Sequence, residues 1–378
     1  MFIKQIIMKI KTITCHDVYN AGASLQAYAL MTYLQKLGHE VQIINYKPDY
    51  LSNHYNLWTI SNPKYEKNVI LKYLYLIIKF PKRFIDRQSK KKKLFDEFTK
   101  KHLNTTNEIY HSNEELKKSP PDADIYIAGS DQIWNSFFKN GRDPAFYLDF
   151  VPINKIKASY AASFATNKIV DKYKWQIIKW IQMIDYVGIR ETSGVKLAKS
   201  MGITKAVQVL DPVFLLEKEE WEKLIKESCI KKNKDSYLIV YDFDDNEDIK
   251  EICIEIAKKL NLKIFSFFSN NYADKVISNY GPIEFLSIIK NSSFVISNSF
   301  HGTAFSIIFE KPFFVINRKE NLNSRMIDLL SMLDLEDRMI SRLEDYKQYS
   351  FKINVNKKLE KQINNSKQYI SDILKKQH

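Results

Sequence analysis

Residues 294–316, FVISNSFHGTAFSIIFEKPFFVI, constrain the fold more than any other stretch of this chain. Phe294, Val295 and Ile296 form a run with no polar face, and residues 313–316 form another. A strand that is apolar on both sides must be covered on both sides, which is the situation of a parallel sheet sandwiched between helices. Residues 303–309 between them read as a helix, ended by Lys311-Pro312 because proline cannot continue it. His301 therefore falls in the turn at the carboxyl end of a parallel strand. Ligands of open α/β sheets bind at that end, and the helix start offers unpaired N–H groups and partial positive charge to a phosphate or carboxylate. Gly302 permits close approach, while Asn298, Ser299 and Thr303 add polar groups. A histidine that only caps the turn is the plainer alternative.

The same alternation runs along the chain. Residues 9–14 and 41–44 read as strands flanking a helix at 24–37 that Gly38 stops, which makes a βαβ unit. Further strands are expected at 124–128, 156–161 and 186–189, and a second series comprises strand 237–241, helix 248–260, strand 263–268 and helix 283–290. The expected architecture is α/β, with two Rossmann-like parallel-sheet domains facing a cleft: residues 9–211, then 212–350, with Asp211-Pro212 at the crossing. Residues 351–378 carry apolar positions at helical spacing and are expected to pack back on the body. The 378 residues suffice for two separate cores. Met8 opens the first clear strand, which leaves the first seven residues as an extension.

One segment breaks the pattern, from about residue 62 to 103. Residues 69–80, VILKYLYLIIKF, are apolar and aromatic; after Pro81, residues 82–101 hold nine Lys/Arg against three Asp/Glu. This reads either as a helical hairpin packed on the protein or as a contact with the inner membrane surface, lysines near anionic headgroups. Over the whole chain the formal net charge is +14, which favours anionic partners. Nucleic acid is not expected, since no recognition motif appears and the lysines are scattered over many helix faces. No apolar run approaches the ~18 residues of a spanning helix and no signal peptide is visible, so a cytoplasmic protein is expected, with peripheral membrane contact as the variant. Cys15, Cys229 and Cys253 are too scattered for a disulfide framework or zinc site, and no metal is expected.

Gly22, Gly129 and Gly302 each follow an expected strand beside polar residues, without forming a dinucleotide fingerprint or a P-loop. The strand-end loops bring forward His16 and Asn20, then Ser130, Asp131, Gln132, Trp134 and Asn135, then Ser163, then Arg190 and Glu191. If both sheets turn their carboxyl ends to one cleft, these meet Asn298, Ser299, His301 and Thr303. Arg190 suits bidentate grip on a carboxylate or phosphate, or an ion pair with Glu191 or another acid. His301 suits a general acid or phosphate binder, because imidazole titrates near neutrality. Asp131 is a candidate base or a cap. Trp134 offers a face for a sugar ring or fills space between domains. Cys15-His16 is a weak nucleophile pair, because adjacent residues at a strand end point to opposite sides.

Six blocks occur in order: NAGASLQAYAL, IAGSDQIWN, SYAASFAT, GIRE, VLDPVFLL and SNSFHGTAFSIIFEKPF, with NSRMIDLLSMLDLEDR beyond them. Together they resemble the polysaccharide pyruvyl transferase family over about residues 9–340. The resemblance implies a fold like the two-domain B-type glycosyltransferases. It also implies phosphoenolpyruvate as donor without a further cofactor, and a saccharide or lipid-linked oligosaccharide as acceptor in cell-surface polysaccharide synthesis. His301 matches the family's motif histidine and Arg190 its arginine before the glutamate. Some members carry an arginine where this chain has Ser299, so Arg318 or Arg325 would have to supply that charge. Two alternatives stand beside it. One is a nucleotide-sugar glycosyltransferase, which would need a nucleotide-recognising carboxylate near Glu284 or Asp328. The other is a non-catalytic saccharide-binding protein at the inner membrane.

Overall fold

The computed structural model describes residues 6–52, 73, 78–79, 84–230, 234–244, 247–317, 323–341 and 356–375. Its first sheet has seven strands in the order β3-β2-β1-β4-β5-β6-β7: β1 (Lys9–Ile13), β2 (Glu40–Tyr46), β3 (Thr105–Tyr110), β4 (Ile125–Ala128), β5 (Ile156–Ala162), β6 (Tyr186–Ile189) and β7 (Val207–Gln208). Its second has six, in the order β10-β9-β8-β11-β12-β13: β8 (Tyr237–Tyr241), β9 (Lys263–Ser266), β10 (Lys275–Val276), β11 (Phe294–Ser297), β12 (Phe313–Ile316) and β13 (Met339–Ile340). Neighbouring strands run parallel, as between β1 and β4 and between β8 and β11. These are the two parallel-sheet α/β domains that the alternation predicted.

The strand order reverses once in each sheet. The chain proceeds outward from β1 through β2 to β3, then returns to place β4 on the other side of β1; β8 and β11 repeat this in the second sheet. Crossovers leave in opposite directions at such a point, and a crevice opens at the strands' carboxyl ends. Four strands escape the sequence reading, β3, β7, β10 and β13, and they are the four sheet edges. An edge strand has one neighbour and needs no apolar run. β7, β10 and β13 are only two residues long, and β3 is TTNEIY with four of its six residues not buried.

The largest core cluster crosses the domain boundary, joining Ile10, Leu25 and Leu30 to Phe285, Phe305 and Ile370. Helix Ala21–Lys36 packs on helix Pro282–Asn291 and on the turn Pro212–Phe214. Tyr28 meets the buried Trp221 ring, which in turn meets Phe305 edge-on. The terminal helix Asn356–Lys375 returns to the first domain. Its Ile370 and Ile373 are buried, Tyr369 donates to the Ser159 carbonyl at 2.8 Å, and Ser366 accepts the Leu210 N–H at 2.9 Å.

Most of the apolar stretch 69–80 lies outside the described residues. The basic half forms helix Lys90–His102, N-capped by Ser89. Phe95 and Phe98 are buried against Tyr19 and Tyr28. On its other side Lys91 lies 4.6 Å from the centre of the Tyr280 ring and Leu94 fills the space at Gly281. This basic helix therefore spans both domains. No helix among the described residues is long and apolar enough to cross a membrane.

Candidate functional site

The two points of strand reversal face one cavity of about 360 Å³. From the first domain come Cys15, Asn20, Asp131 and Gln132; from the second come Asn298, Ser299, His301 and Arg325. His301 is carried by helix Phe300–Ile308, whose start is fixed by Ser299: its hydroxyl oxygen accepts the Gly302 N–H at 3.4 Å. Asn298 braces the neighbouring loop, donating to Asp242 at 2.6 Å and accepting the Phe243 N–H at 3.0 Å. Asn20 caps helix Ala21–Lys36 in the same way, accepting from Ala23 at 3.2 Å.

Beneath this lining lies Asp211. Its side chain is wholly buried, and its Oδ2 collects three groups. Arg190 Nη1 is 2.7 Å away, Ser130 Oγ donates at 2.8 Å, and His301 Nε2 stands at 3.7 Å, beyond hydrogen-bond reach. Arg190 and His301, from opposite domains, thus meet through one carboxylate. Arg190 does not line the cavity: its side chain is buried with Nε and Nη2 unpartnered, and its guanidinium lies 4.3 Å from the centre of the Phe300 ring. It pairs with Asp211 and not with Glu191, so of the two roles expected for it the structure shows the ion pair. Arg325 reaches the cavity wall and faces the same Phe300 ring at 5.9 Å. Arg318 lies outside the described residues.

Electrostatics follow from this burial. Burial pushes Asp211 up, but His301, Arg190 and the Val213 N–H more than offset it and hold the carboxyl below its ordinary range. Burial pushes His301 down; Asp211 and Asp131 pull the other way, while Arg190 and Arg325 reinforce the drop. Asp131 sits at φ 77°, a left-handed backbone that non-glycine residues rarely adopt, and its Oδ1 accepts the Gln132 N–H at 2.8 Å. It heads a turn and caps no helix. Cys15 is pushed up by burial and by the Asp131 and Asp143 charges, so its thiol stays protonated and the cysteine nucleophile has no support. His16 is buried, with Nδ1 3.3 Å from the Thr14 carbonyl, and does not reach the cavity.

Gly22 explains itself here. A Cβ at this position would lie 2.1 Å from His301 Nδ1, so the first turn of helix Ala21–Lys36 seats the imidazole of the other domain. Gly302 packs in the same manner against Ser297 Oγ, and Gly129 against Thr14.

Several expected site residues do other work. Trp134 is 0 % exposed, stacked on Tyr147 at 5.5 Å and donating to the Phe146 carbonyl at 3.0 Å, so it has no face for a sugar and belongs to the core of the first domain. Glu191 Oε1 accepts the N–H groups of Phe164 and Ala165 at 2.8 and 3.1 Å, and Ser163 Oγ accepts from Ala165 at 3.0 Å; both shape a loop beside the cavity. Asn135 holds the Phe137 N–H at 3.1 Å, and Thr303 bonds back to the Ser299 carbonyl at 3.0 Å within its helix. Ser130 is absent from the cavity lining and bonds to Asp211 instead. Missed from sequence were Asp211 as the hub and Phe300 between the two guanidiniums. The Asp-Pro of VLDPVFLL, at the crossing between domains, was the available signal for the first.

The carboxylates required by a nucleotide-sugar transferase are already committed. Glu284 accepts the Gly281 and Cys229 N–H groups at 3.1 and 3.3 Å, and Asp328 accepts the Ser193 hydroxyl and N–H at 2.6 and 2.8 Å.

Known structures share the architecture. The chain superposes on S. aureus MnaA with UDP at a TM-score of 0.51 and 11% identity, covering 97% of each chain. It superposes on the UDP-GlcNAc 2-epimerase of Methanocaldococcus jannaschii, in complex with UDP-GlcNAc and UDP, at 0.50 and 14%, covering 96% of this chain and 99% of that one. At such identities the likeness shows the fold alone, the two-domain fold of B-type glycosyltransferases and related epimerases. No curated protein matches the chain. The profile of the polysaccharide pyruvyl transferase family matches residues 20–320, a span that holds Gly22, Asp131, Arg190, Asp211 and His301. The chain belongs to the polysaccharide pyruvyl transferase family.

Proposed function

We propose that this protein transfers a pyruvyl group from phosphoenolpyruvate to a hydroxyl pair of a saccharide, forming a cyclic ketal and releasing phosphate. The observation that carries this reading is the meeting of His301 and Arg190, from opposite domains, on the buried Asp211 at the wall of a cavity that also holds Asp131 and Arg325.

The chemistry needs a proton at C3 of the donor, which leaves an oxocarbenium-like C2. One sugar hydroxyl adds there and loses its proton. The C2–O bond to phosphate then breaks, and the second hydroxyl closes the ring with loss of its own proton. His301 supplies the first proton. Its depressed pKa leaves it neutral in the free protein, and a bound phosphate dianion raises it, so the imidazole takes up its proton as the donor arrives. Arg325 and the start of helix Phe300–Ile308 hold the phosphate and carboxylate. Asp131 receives the proton of the first hydroxyl, and the departing phosphate takes that of the second. Arg190 keeps Asp211 ionised, and the charge on Asp211 favours the protonated form of His301.

The acceptor is a saccharide or lipid-linked oligosaccharide, met in the cytoplasm at the inner face of the membrane. Exposed Phe84 and Ile85, followed by exposed Arg87, Lys90 and Lys93, suit the surface of an anionic bilayer. The test incubates the purified protein with phosphoenolpyruvate and a panel of acceptor saccharides and measures phosphate. Release should depend on acceptor and fall about 10²–10⁴-fold in His301→Ala, the contribution of a general acid. Release that survives both His301→Ala and Asp131→Asn unchanged sinks the assignment.

A further inference from the structure

A second cavity, of about 560 Å³, is lined in part by residues next in the chain to those that line the first. Phe137 and Ser324 line it, while their chain neighbours Phe138 and Arg325 line the first, so the two chambers share both walls. Their linings differ in chemistry. The smaller chamber carries Asp131, His301 and Arg325. The larger presents Thr166, Asn167, Asn317, Asn323 and Ser324, and among its described lining residues there is no carboxylate and a single cation, Lys168.

The second chamber is also held in shape. Glu191 and Ser163 pin the N–H groups of the 164–165 turn, where Ala165 sits at φ 58°, and Thr166 Oγ1 donates to the Lys168 carbonyl at 2.8 Å. Ser324 Oγ, from the second domain, donates to the Ala165 carbonyl at 3.1 Å and closes the floor across the cleft. Opposite, the Phe137 backbone is tied at both ends, its N–H to Asn135 and its carbonyl to Arg142 at 2.8 Å, yet its ring is 53 % exposed. A half-exposed aromatic residue on a pinned backbone, lining a chamber together with amides and hydroxyls, matches a pyranose, which offers a C–H face for stacking and adjacent hydroxyls that amide groups can both donate to and accept from.

We infer that this second chamber is the acceptor subsite, and that it binds a pyranose with a free hydroxyl pair directed at the first chamber. Phe137 stacks on the sugar and Asn167 and Asn317 read its hydroxyls. The inference rests on the transfer reaction proposed above for its orientation, but not for the existence of the site.

Two measurements on the full chain separate the two readings. Saturation-transfer NMR, without donor, uses methyl α- and β-pyranosides of glucose, galactose, mannose and their N-acetyl derivatives. Steady-state phosphate release uses phosphoenolpyruvate with whichever glycoside turns over. At least one glycoside should bind, and Phe137→Ala and Asn167→Ala should each raise its KM or Kd about tenfold, the scale of one stacking or amide contact, while Phe137→Trp retains binding. The KM for phosphoenolpyruvate should stay within twofold. If no phosphate is released at all, the transfer reading fails, and NMR binding that Phe137→Ala weakens about tenfold still upholds the subsite. Binding by none of the glycosides, or an acceptor constant unmoved in both alanine variants, overturns it.

Discussion

Asp211→Asn is the sharpest perturbation of this site, because it removes one charge and almost no volume. In the native protein the carboxylate is completely buried, and the Arg190 guanidinium that it neutralises is 2 % exposed. Breaking a buried pair on one side leaves the other charge without compensation, which costs about 3–5 kcal/mol. For a domain of about 200 residues, at roughly 2–4 °C per kcal/mol, this lowers Tm by about 6–20 °C. Differential scanning calorimetry measures it. The double variant Asp211→Asn/Arg190→Met, which removes both charges, should recover much of the loss, since replacing both partners with uncharged groups is often close to neutral. Activity should not return with it, because His301 has lost its anion. The pH dependence is a second signature. Asp211 is held below the ordinary carboxylate value, so its stabilisation is complete above that value and disappears as pH falls through the lower folded one. The asparagine variant should lack that acid limb. A single variant as stable as the wild type, or a double variant no more stable than the single, refutes the coupling.

Gly22→Ala should act on catalysis far more than on stability: alanine favours the helix by about 1 kcal/mol, but its Cβ falls 2.1 Å from His301 Nδ1 and must displace the ring. A fall in kcat/KM of about 10²-fold or more with an unchanged circular dichroism spectrum is expected, and retained activity would show that the contact is dispensable. If donor phosphate raises the depressed pKa of His301 as the proposed reaction requires, phosphoenolpyruvate affinity measured by calorimetry should weaken as pH rises, by at most about tenfold per unit, and His301→Gln should flatten that slope. The same depressed pKa means that the unfolded chain binds the proton first, so stability should decline as pH falls below about 6.5 and should be level above it as far as this group decides. Trp134→Phe should cost about 1–3 kcal/mol through lost stacking and the lost bond to Phe146, with no change in acceptor KM.

The central strands were legible because each is buried on both faces and must be apolar throughout. The histidine, the aspartate after Gly129 and the polar residues near Ser299 were legible because they interrupt that pattern at strand ends. Trp134 stayed ambiguous for the complementary reason. A large aromatic beside a strand-end loop has the same sequence signature whether it faces a ligand or, as here, fills the core under Tyr147 and Phe164.

The sequence by itself determined two doubly wound sheets and the set of turns at their carboxyl ends, since burial is a local demand that writes itself into composition and period. Only the tertiary structure decided the edge strands, the joining of Arg190 and His301 through Asp211, the seat that Gly22 makes for an imidazole in the other domain, and the return of the last helix to the first sheet. These depend on how two separate domains close on each other. The groups that meet are far apart along the chain, and neither period nor composition of one segment records which distant segment will complete it.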